Sequence, residues 1–205
     1  MELLIVVVGV SIAFQLNVWN DERKSAETEK YLLQNFSSEN QLNKIEIDTT
    51  LLNLNYTIEA NPSLISKLKV QDPNMDSVRI IMGRLYTISW PDITSTHLNN
   101  YLGHESGTSL LKEEMLVLKT HYISVDELID VYIQQKQEKY FDYLSDAVDM
   151  TDGLRVINKE KLLNVKFRNN LLIIYYYEKS LQATYAKIKV SQDKLMVLID
   201  ERLGK

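Results

Sequence analysis

The stretch FRNNLLIIYYYEKSLQATYAKIKVSQDKLMVLIDER, residues 167–202, carries the most regular hydrophobic pattern in the chain. Alternating steps of four and three residues connect eleven positions, of which eight are apolar. A 3.5-residue repeat is typical of long helices that pack side by side at a shallow angle. Glu178 and Gln192 interrupt the apolar series, and we expect them to limit register slippage. This C-terminal seam comprises Phe167, Leu171, Ile174, Glu178, Leu181, Tyr185, Ile188, Gln192, Leu195, Ile199 and Arg202.

A second long helix is predicted over residues 22–60, which contain neither glycine nor proline. The helix is expected to end at Asn61-Pro62-Ser63, because proline disfavours a continuing helix. Five of its residues recur at steps of three and four and therefore share one face. We expect the C-terminal seam to cover this face. Its members are Leu42, Ile45, Thr49, Leu52 and Tyr56.

Turn signals divide the middle of the chain into shorter helices. Asp72-Pro73-Asn74 precedes a helix predicted over residues 76–89, and Trp90-Pro91 ends it because the residue before proline leaves the α region. A short helix is predicted over residues 92–102.

Two further helices are predicted before the C-terminal one. The first begins at Thr108 or Ser109, and Ser124-Val125-Asp126-Glu127 matches a capping box that would begin the second. Thr151-Asp152-Gly153 is expected to close it. A stripe on this helix is predicted to face the core, and it contains Val125, Ile129, Tyr132, Lys136, Tyr140, Tyr143 and Ala147.

Composition is that of an ordinary folded chain of 205 residues, with 45% apolar and 25% charged residues. The net charge of −5, without a basic block, argues against nucleic acid as a partner. Cysteine is absent, which excludes disulfides, thiolate catalysis and cysteine-containing zinc sites.

The N-terminal run LLIVVVGVSIAF, residues 3–14, has no charged residue and only Ser11 as a polar one. Continued to Trp19 it spans about 25 Å, a little less than the roughly 30 Å of a bilayer core. We predict a transmembrane anchor over residues 1–20 and a soluble helical bundle over residues 21–205. A buried core helix is the alternative. The anchor residues are Leu3, Ile5, Val6, Val7, Val8, Gly9, Ile12, Phe14 and Trp19.

The sequence ELLIVVVGVSIAFQLNVWNDER, residues 2–23, is similar to the opening of a bacterial domain-of-unknown-function family of single-pass envelope proteins. That family shares the pattern E-x-x-x-V-V-x-G-x-x-I-A-x-Q-x-N-x-W-N-[ED]-x-R. Looser likeness extends to Ser106-Gly107 with Leu110-Leu111, to residues 167–169 and to residues 198–201. The resemblance implies architecture and topology but no catalytic residue. The matching positions in the motif are Glu2, Val6, Val7, Gly9, Ile12, Ala13, Gln15, Asn17, Trp19, Asn20, Asp21 and Arg23.

Orientation depends on which basic residues are counted. Arg23 and Lys24 follow the anchor and, taken alone, favour a cytoplasmic bundle under the positive-inside rule. The family that the chain resembles carries basic residues upstream of its anchor, which implies the opposite. We therefore expect a single-pass protein of the bacterial inner membrane with a periplasmic bundle.

No catalytic constellation, cofactor motif or metal site is predicted. His97, His104 and His121 are the only histidines, their spacing matches no metal motif, and we interpret them as surface residues. Tyr175, Tyr176 and Tyr177 are interaction candidates, because three consecutive helical residues point in different directions and at least one must face outward.

The sequence therefore predicts an all-α fold, in which an N-terminal transmembrane helix continues into an antiparallel bundle of long helices. The first functional hypothesis is a membrane-anchored scaffold or accessory subunit of an envelope complex. Its partners would be the lipid bilayer and either other envelope proteins or a second copy of the chain. The alternative is a periplasmic ligand-sensing bundle that signals through a partner. An enzyme would depend on the three histidines alone.

Overall fold

The computed structural model describes residues 2–105 and 107–204, with side chains described from residue 9 onward. Most of this part of the chain is helical, as predicted, and loops and one two-stranded hairpin make up the rest. A π-helical turn, Gln137–Phe141, separates two of the α-helices. The elements are α1 (Glu2–Lys67), α2 (Met75–Leu85), α3 (Thr96–Gly103), α4 (Ser109–Lys136), α5 (Asp142–Ser145), β1 (Val148–Asp149), β2 (Arg155–Val156), α6 (Lys159–Leu163) and α7 (Val165–Leu203).

Helix α7 runs antiparallel to α1. The Lys44 ammonium of α1 lies 2.5 Å from the Asp193 carboxylate near the end of α7. Asn61, farther along α1, donates a hydrogen bond to Glu178, which lies earlier in α7. Residues later in α1 thus contact residues earlier in α7, which defines an antiparallel arrangement.

Helix α7 also runs antiparallel to α4, so α1 and α4 point the same way. Glu114 near the start of α4 pairs with Lys194 at 2.5 Å, and Tyr132 near its end donates to Glu178. Helices α2 and α3 pack on α1, and α3 also contacts α4. The result is a bundle of three long helices in which α7 lies against both of the others.

The C-terminal seam is the centre of this bundle, which confirms the predicted pattern. Ten of its eleven positions are buried, including the polar Glu178 and Gln192. Arg202, at the end of the seam, is exposed except for its contact with α1. A 3.5-residue repeat therefore located the core face of α7 correctly.

The predicted core face of α1 is wrong. Leu42, Ile45, Leu52 and Tyr56 do share one face, but that face is exposed to solvent. Many polar residues lie on the buried face, and they conceal its periodicity in the sequence. Its apolar members are Leu33, Phe36, Ile47, Leu54, Ile58 and Leu64, and its polar ones include Asn40, Asn43, Thr50, Thr57 and Asn61.

The predicted end of α1 at residues 61–63 is also wrong. Pro62 lies inside the helix, which continues to Lys67. Proline cannot bond the carbonyl four residues earlier, but buried residues hold the helix on both sides of it. Ile58 precedes Pro62 and Leu64 follows it, and both are in the core.

The predicted capping box at Ser124 does not begin a helix, because α4 runs without interruption from Ser109 to Lys136. The Thr108 hydroxyl caps this helix by accepting a hydrogen bond from the Leu111 N–H at 3.4 Å. Buried side chains continue past Ser124, which is itself exposed, so packing overrides the local capping signal.

The stripe predicted from Val125 onward does face the core. Its members are buried apart from the half-buried Tyr143. The helix widens into the π-helical turn just after Lys136, which keeps Tyr140 and Ala147 inside. The predicted helix end at Thr151-Asp152-Gly153 is wrong, because α5 already ends at Ser145. Gly153 lies instead in the turn of the β1–β2 hairpin, where Gly153 and Leu154 both have left-handed backbone angles, with φ of 56° and 63°.

The other predicted helices are displaced by a few residues. Helix α2 ends at Leu85 instead of residue 89, and α3 begins at Thr96 instead of residue 92. The intervening segment is held by Asn43 of α1, which bonds the backbone of Thr94.

The N-terminal part of α1 extends beyond the bundle. Side chains from residue 9 to residue 24 are exposed, and Glu29 is the first buried residue of α1 among the described side chains. Within residues 2–105 and 107–204, no helix combines the length and the apolar character needed to cross a membrane. Five of the proposed anchor side chains, Leu3, Ile5, Val6, Val7 and Val8, lie outside the described ones, whereas Gly9, Ile12, Phe14 and Trp19 are exposed.

Candidate functional site

An exposed apolar stripe runs along the side of α1 that faces away from the bundle. Its positions alternate by four and three residues, the same spacing as in the C-terminal seam. Five of its side chains, all apolar or aromatic, are between 61% and 64% exposed. The other three positions carry polar residues. We call all eight positions the outer stripe, and they are Tyr31, Asn35, Ser38, Leu42, Ile45, Thr49, Leu52 and Tyr56.

The serine and threonine hydroxyls within the outer stripe are satisfied by α1 itself. Thr49 donates to the carbonyl of Ile45 at 2.9 Å, and Ser38 donates to the carbonyl of Gln34 at 3.2 Å. Neither hydroxyl needs an acceptor on another molecule. The middle of the stripe can therefore enter a dry interface without leaving these donors unpaired.

Buried polar side chains form a network where α1, α4 and α7 meet. The Tyr132 hydroxyl accepts a hydrogen bond from Lys136 Nζ at 2.9 Å and donates one to Glu178 Oε1 at 3.1 Å. Asn61 Nδ2 donates to Glu178 Oε2 at 2.7 Å, and Lys136 Nζ also donates to the Thr87 carbonyl at 2.7 Å. This continuous chain of bonds joins three helices and the segment after α2.

Desolvation controls the ionisation of this network. Burial lowers the pKa of Lys136 from 10.5 to about 8, and the nearby carboxylate of Glu178 opposes that shift. Burial raises the pKa of Glu178, against the influence of Lys136 and of its hydrogen-bond donors. Burial and the same carboxylate raise the pKa of Tyr132. We expect these two buried charges to contribute more to fixing one register of the helices than to net stability.

A small cavity adjoins the network on the side of α1 and the α2–α3 segment. Its accessible volume is about 10 Å³, which is room for a single water molecule. Hydroxyl and amide groups in its lining can bond a single water, and the cavity is too small for a ligand of several heavy atoms. The lining residues are Asn53, Leu54, Thr57, Thr87, Ser89 and Tyr132.

A second buried polar layer surrounds Gln192 of the C-terminal seam. Gln192 Nε2 donates to the Tyr122 hydroxyl at 3.1 Å. Asn43 Nδ2 donates to the same hydroxyl at 3.3 Å and to the Thr94 carbonyl at 2.7 Å. The two polar interruptions of the seam thus each bond with α4 and, directly or through α4, with α1.

A third cluster closes the end of the bundle from which the N-terminal part of α1 projects. The Glu29 carboxylate accepts a hydrogen bond from Arg202 at 2.8 Å and one from the Tyr101 hydroxyl at 3.2 Å. The carboxylate raises the pKa of Arg202, while burial and the carboxylate raise that of Tyr101. The cluster fixes the end of α7 and helix α3 to the point where α1 leaves the bundle.

The three tyrosines predicted as interaction candidates differ in exposure, as expected for consecutive residues of a helix. Tyr176 is exposed, whereas Tyr175 and Tyr177 are half-buried. The Tyr175 and Tyr176 rings lie 6.1 Å apart. Tyr175 also lines a surface groove between α1 and α7, together with Pro62 and Leu172.

Among the described residues, the histidines are not part of a metal site. His97, His104 and His121 are half-buried, and the His97 backbone N–H donates to the Glu39 carboxylate at 2.8 Å. Across the described residues, no group of three histidine, aspartate or glutamate side chains could hold a metal ion.

Comparison with protein-family models, with curated proteins and with solved structures found no match to this chain. The resemblance of residues 2–23 to an envelope-protein family therefore stays a prediction, and Ser106 of its looser part lies outside the described residues.

Proposed function

We propose that this chain is a membrane-anchored helical scaffold or accessory subunit of a bacterial envelope complex, and that it acts by protein–protein contact. The observation that carries the proposal is the outer stripe of α1. A regular row of leucine, isoleucine and tyrosine side chains on the outside of a folded bundle is the kind of surface that a partner helix covers.

The energetics of the stripe favour a binding role over a structural one. The α1 core is already complete on the opposite face, where Ile47, Leu54 and Ile58 are buried. Exposed apolar side chains such as Leu42 and Leu52 gain nothing from the fold but are stabilised when another surface removes them from water. Tyrosine is also enriched among residues that dominate binding energy.

Membrane attachment is supported by the projecting part of α1. Val10, Ile12, Phe14, Leu16 and Val18 are all at least 40% exposed and lie on different sides of the helix. Ser11, Gln15 and Asn17 lie among them, and the apolar side chains are stabilised when lipid or protein removes them from water. Trp19 and the charged residues 21–24 follow, in the order found at a membrane–water interface. We assign this anchor to the inner membrane with the bundle in the periplasm.

The test of protein contact uses the full-length chain, extracted from bacterial membranes in a mild detergent. The double variant Ile45→Lys/Leu52→Lys places two charges on the outer stripe. Val190→Lys is the matched control, because Val190 is an exposed aliphatic residue on α7, 70% accessible. Light scattering during gel filtration gives the mass of protein in each complex, for comparison with 23.8 kDa for one chain.

We expect the wild type and Val190→Lys to form the same complex and the stripe variant to be a single chain. All three should have the same circular dichroism spectrum, because the changed positions are exposed. A wild-type protein that is already a single chain, with no neighbour cross-linked along the outer stripe, would refute the proposal. Tyr176→Ala tests the second predicted contact and should weaken association without affecting folding.

Topology has its own test. The chain has no cysteine, so a single Val190→Cys gives a labelling signal without background. In cells with an intact inner membrane, a membrane-impermeant thiol reagent should react with this cysteine. Protection until the inner membrane is lysed would place the bundle in the cytoplasm.

A further inference from the structure

Three features of α1 together identify what covers the outer stripe: its spacing, its continuity with the projecting N-terminal part, and the charges beside it. From them we infer that the stripe pairs with the same stripe of a second copy of this chain, with the two helices parallel and in register. The inference rests on the proposed function and names its partner.

The spacing suits an identical helix. Over eight positions from Tyr31 to Tyr56 the stripe alternates steps of four and three without a break. This repeat lets side chains of one helix fit between side chains of another that has the same repeat. The apolar centre, from Leu42 to Tyr56, extends about 21 Å along the helix.

The continuity of α1 with the proposed anchor fixes the relative direction of two copies and the distance of each stripe residue from the bilayer. Residues 2–67 form one uninterrupted helix, so the outer stripe is a rigid extension of the proposed anchor. Two copies anchored in the same membrane point the same way, and equivalent residues lie at the same distance from the bilayer. Each stripe residue of one copy therefore meets its own equivalent in the other.

The residues that flank the stripe permit this arrangement. In a parallel, in-register pair, flanking positions five residues apart face each other across the seam. Gln41 then faces Glu46 of the second copy, and Asp48 faces Asn53. The Gln41 amide can donate a hydrogen bond to the Glu46 carboxylate, whereas the Asn53 amide already donates to Ser89 within its own chain, and no two like charges are opposed. Asp48 is also neutralised within its own chain by Lys189, at 2.5 Å.

The available area is that of a stable interface. The five apolar or aromatic side chains of the outer stripe expose about 100 Å² each, given the size of such side chains. With the flanking residues the stripe offers on the order of 700 Å² per chain, close to the roughly 800 Å² per partner of standard interfaces.

Cysteine cross-linking of the full-length protein tests the inference. Single Ile45→Cys and Leu52→Cys variants, in membranes and in detergent, are oxidised with copper phenanthroline, and Val190→Cys is the matched exposed control. We expect a homodimer band for the two stripe variants, at least five times stronger than for Val190→Cys. The absence of that difference would overturn the inference.

Register is tested by expressing Ile45→Cys together with a size-tagged Leu52→Cys. These positions lie about 10 Å apart along one helix, at ~1.5 Å per residue. In-register pairing predicts that the mixed disulfide is a minor product compared with the two like-with-like products. A dominant mixed product would show a staggered or antiparallel pair and overturn the inference.

A photo-cross-linking amino acid at Leu42 separates failure of this inference from failure of the proposed function. A cross-linked band of twice the chain mass that contains only this protein supports the second copy. A band that contains a different protein refutes the second copy but leaves the scaffold function in place. The absence of any band overturns both.

Discussion

The C-terminal seam of α7 and the outer stripe of α1 have the same spacing and opposite surroundings. Both alternate steps of three and four residues, and both contain leucine, isoleucine and tyrosine. Ile188 in the seam is fully buried, whereas Ile45 in the stripe is 61% exposed. Hydrophobic spacing thus identifies residues that share a helix face, but it does not identify what covers that face.

Polar residues distinguish the two more reliably than apolar ones. The seam contains Glu178 and Gln192, both buried, and each makes a hydrogen bond to a neighbouring helix. The outer stripe contains Thr49 and Ser38, whose hydroxyls bond their own helix. A seam whose polar members need partners from elsewhere in the chain belongs to the core.

The largest effect is expected from Lys136→Met, which removes one charge from the buried network. The Thr87 carbonyl and the Tyr132 hydroxyl then lose the donor that Lys136 Nζ provides, and leaving an acceptor unpaired inside the protein costs about 1–3 kcal/mol of unfolding free energy for each. Urea unfolding of the full-length protein in detergent measures the loss.

The double variant Lys136→Met/Glu178→Gln is the control for this prediction. It removes both charges but keeps an acceptor for Asn61 and for Tyr132, so its loss of stability should be smaller than the sum of the losses in Lys136→Met and Glu178→Gln. Two losses that simply add would mean that Lys136 and Glu178 are not energetically coupled.

Ile188→Ala should be the next largest effect. The side chain lies in the middle of the C-terminal seam, fully buried, and its truncation leaves a cavity that costs about 2–5 kcal/mol. The same urea titration measures it. Wild-type stability in this variant would mean that the seam is not the centre of the core.

The pH dependence of the unfolding free energy tests whether Lys136 has a lowered pKa in the buried network. The pKa of Lys136 is about 8 in the folded protein and 10.5 when exposed. Between these values the unfolded chain holds a proton that the folded chain has released, so the unfolding free energy rises with pH. From pH 8 to 9.5 the gain is about 1–2 kcal/mol, at about 1.4 kcal/mol per pKa unit.

The comparison with Lys136→Met isolates this contribution. In the variant the raised pKa of Glu178 is no longer opposed by a cation, so its stability should not increase over the same range. Measurements stop at pH 9.5 because exposed tyrosines ionise near pH 10 in the unfolded chain, whereas burial keeps Tyr132 and Tyr140 protonated. Parallel curves for the two proteins would contradict the shift at Lys136.

Much of the fold could be predicted from the sequence where one pattern dominates. The C-terminal seam and the stripe from Val125 to Ala147 are apolar enough that spacing alone locates their buried faces. The buried face of α1 could not be found in this way, because Asn43, Thr57 and Asn61 lie among its apolar residues. These polar residues are buried through bonds to distant parts of the chain, and spacing carries no information about such partners.

The candidate site was visible only in part for the same reason. The sequence identified the residues from Leu42 to Tyr56 as one face and assigned it to the core, whereas their exposure is what makes them a candidate interface. Pro62 misled in a similar manner, because a local signal for a helix end was overridden by packing on both sides of it. The run Tyr175–Tyr177 does indicate a contact surface in the sequence, and Tyr176 is exposed in the structure.

The smallest effect on folding is expected from Ile45→Ala, the counterpart of Ile188→Ala on the other stripe. Both changes remove the same atoms from isoleucines in a 3.5-residue repeat. Ile45 is exposed in the single chain, so its truncation should alter the unfolding free energy by less than about 0.5 kcal/mol. Stability is measured after dilution to the single-chain state, because association adds a concentration-dependent term. In concentrated protein the same variant should dissociate more readily, as sedimentation velocity can show. A large loss of stability in the diluted protein would place Ile45 in the core of the fold and remove the contrast between the two stripes.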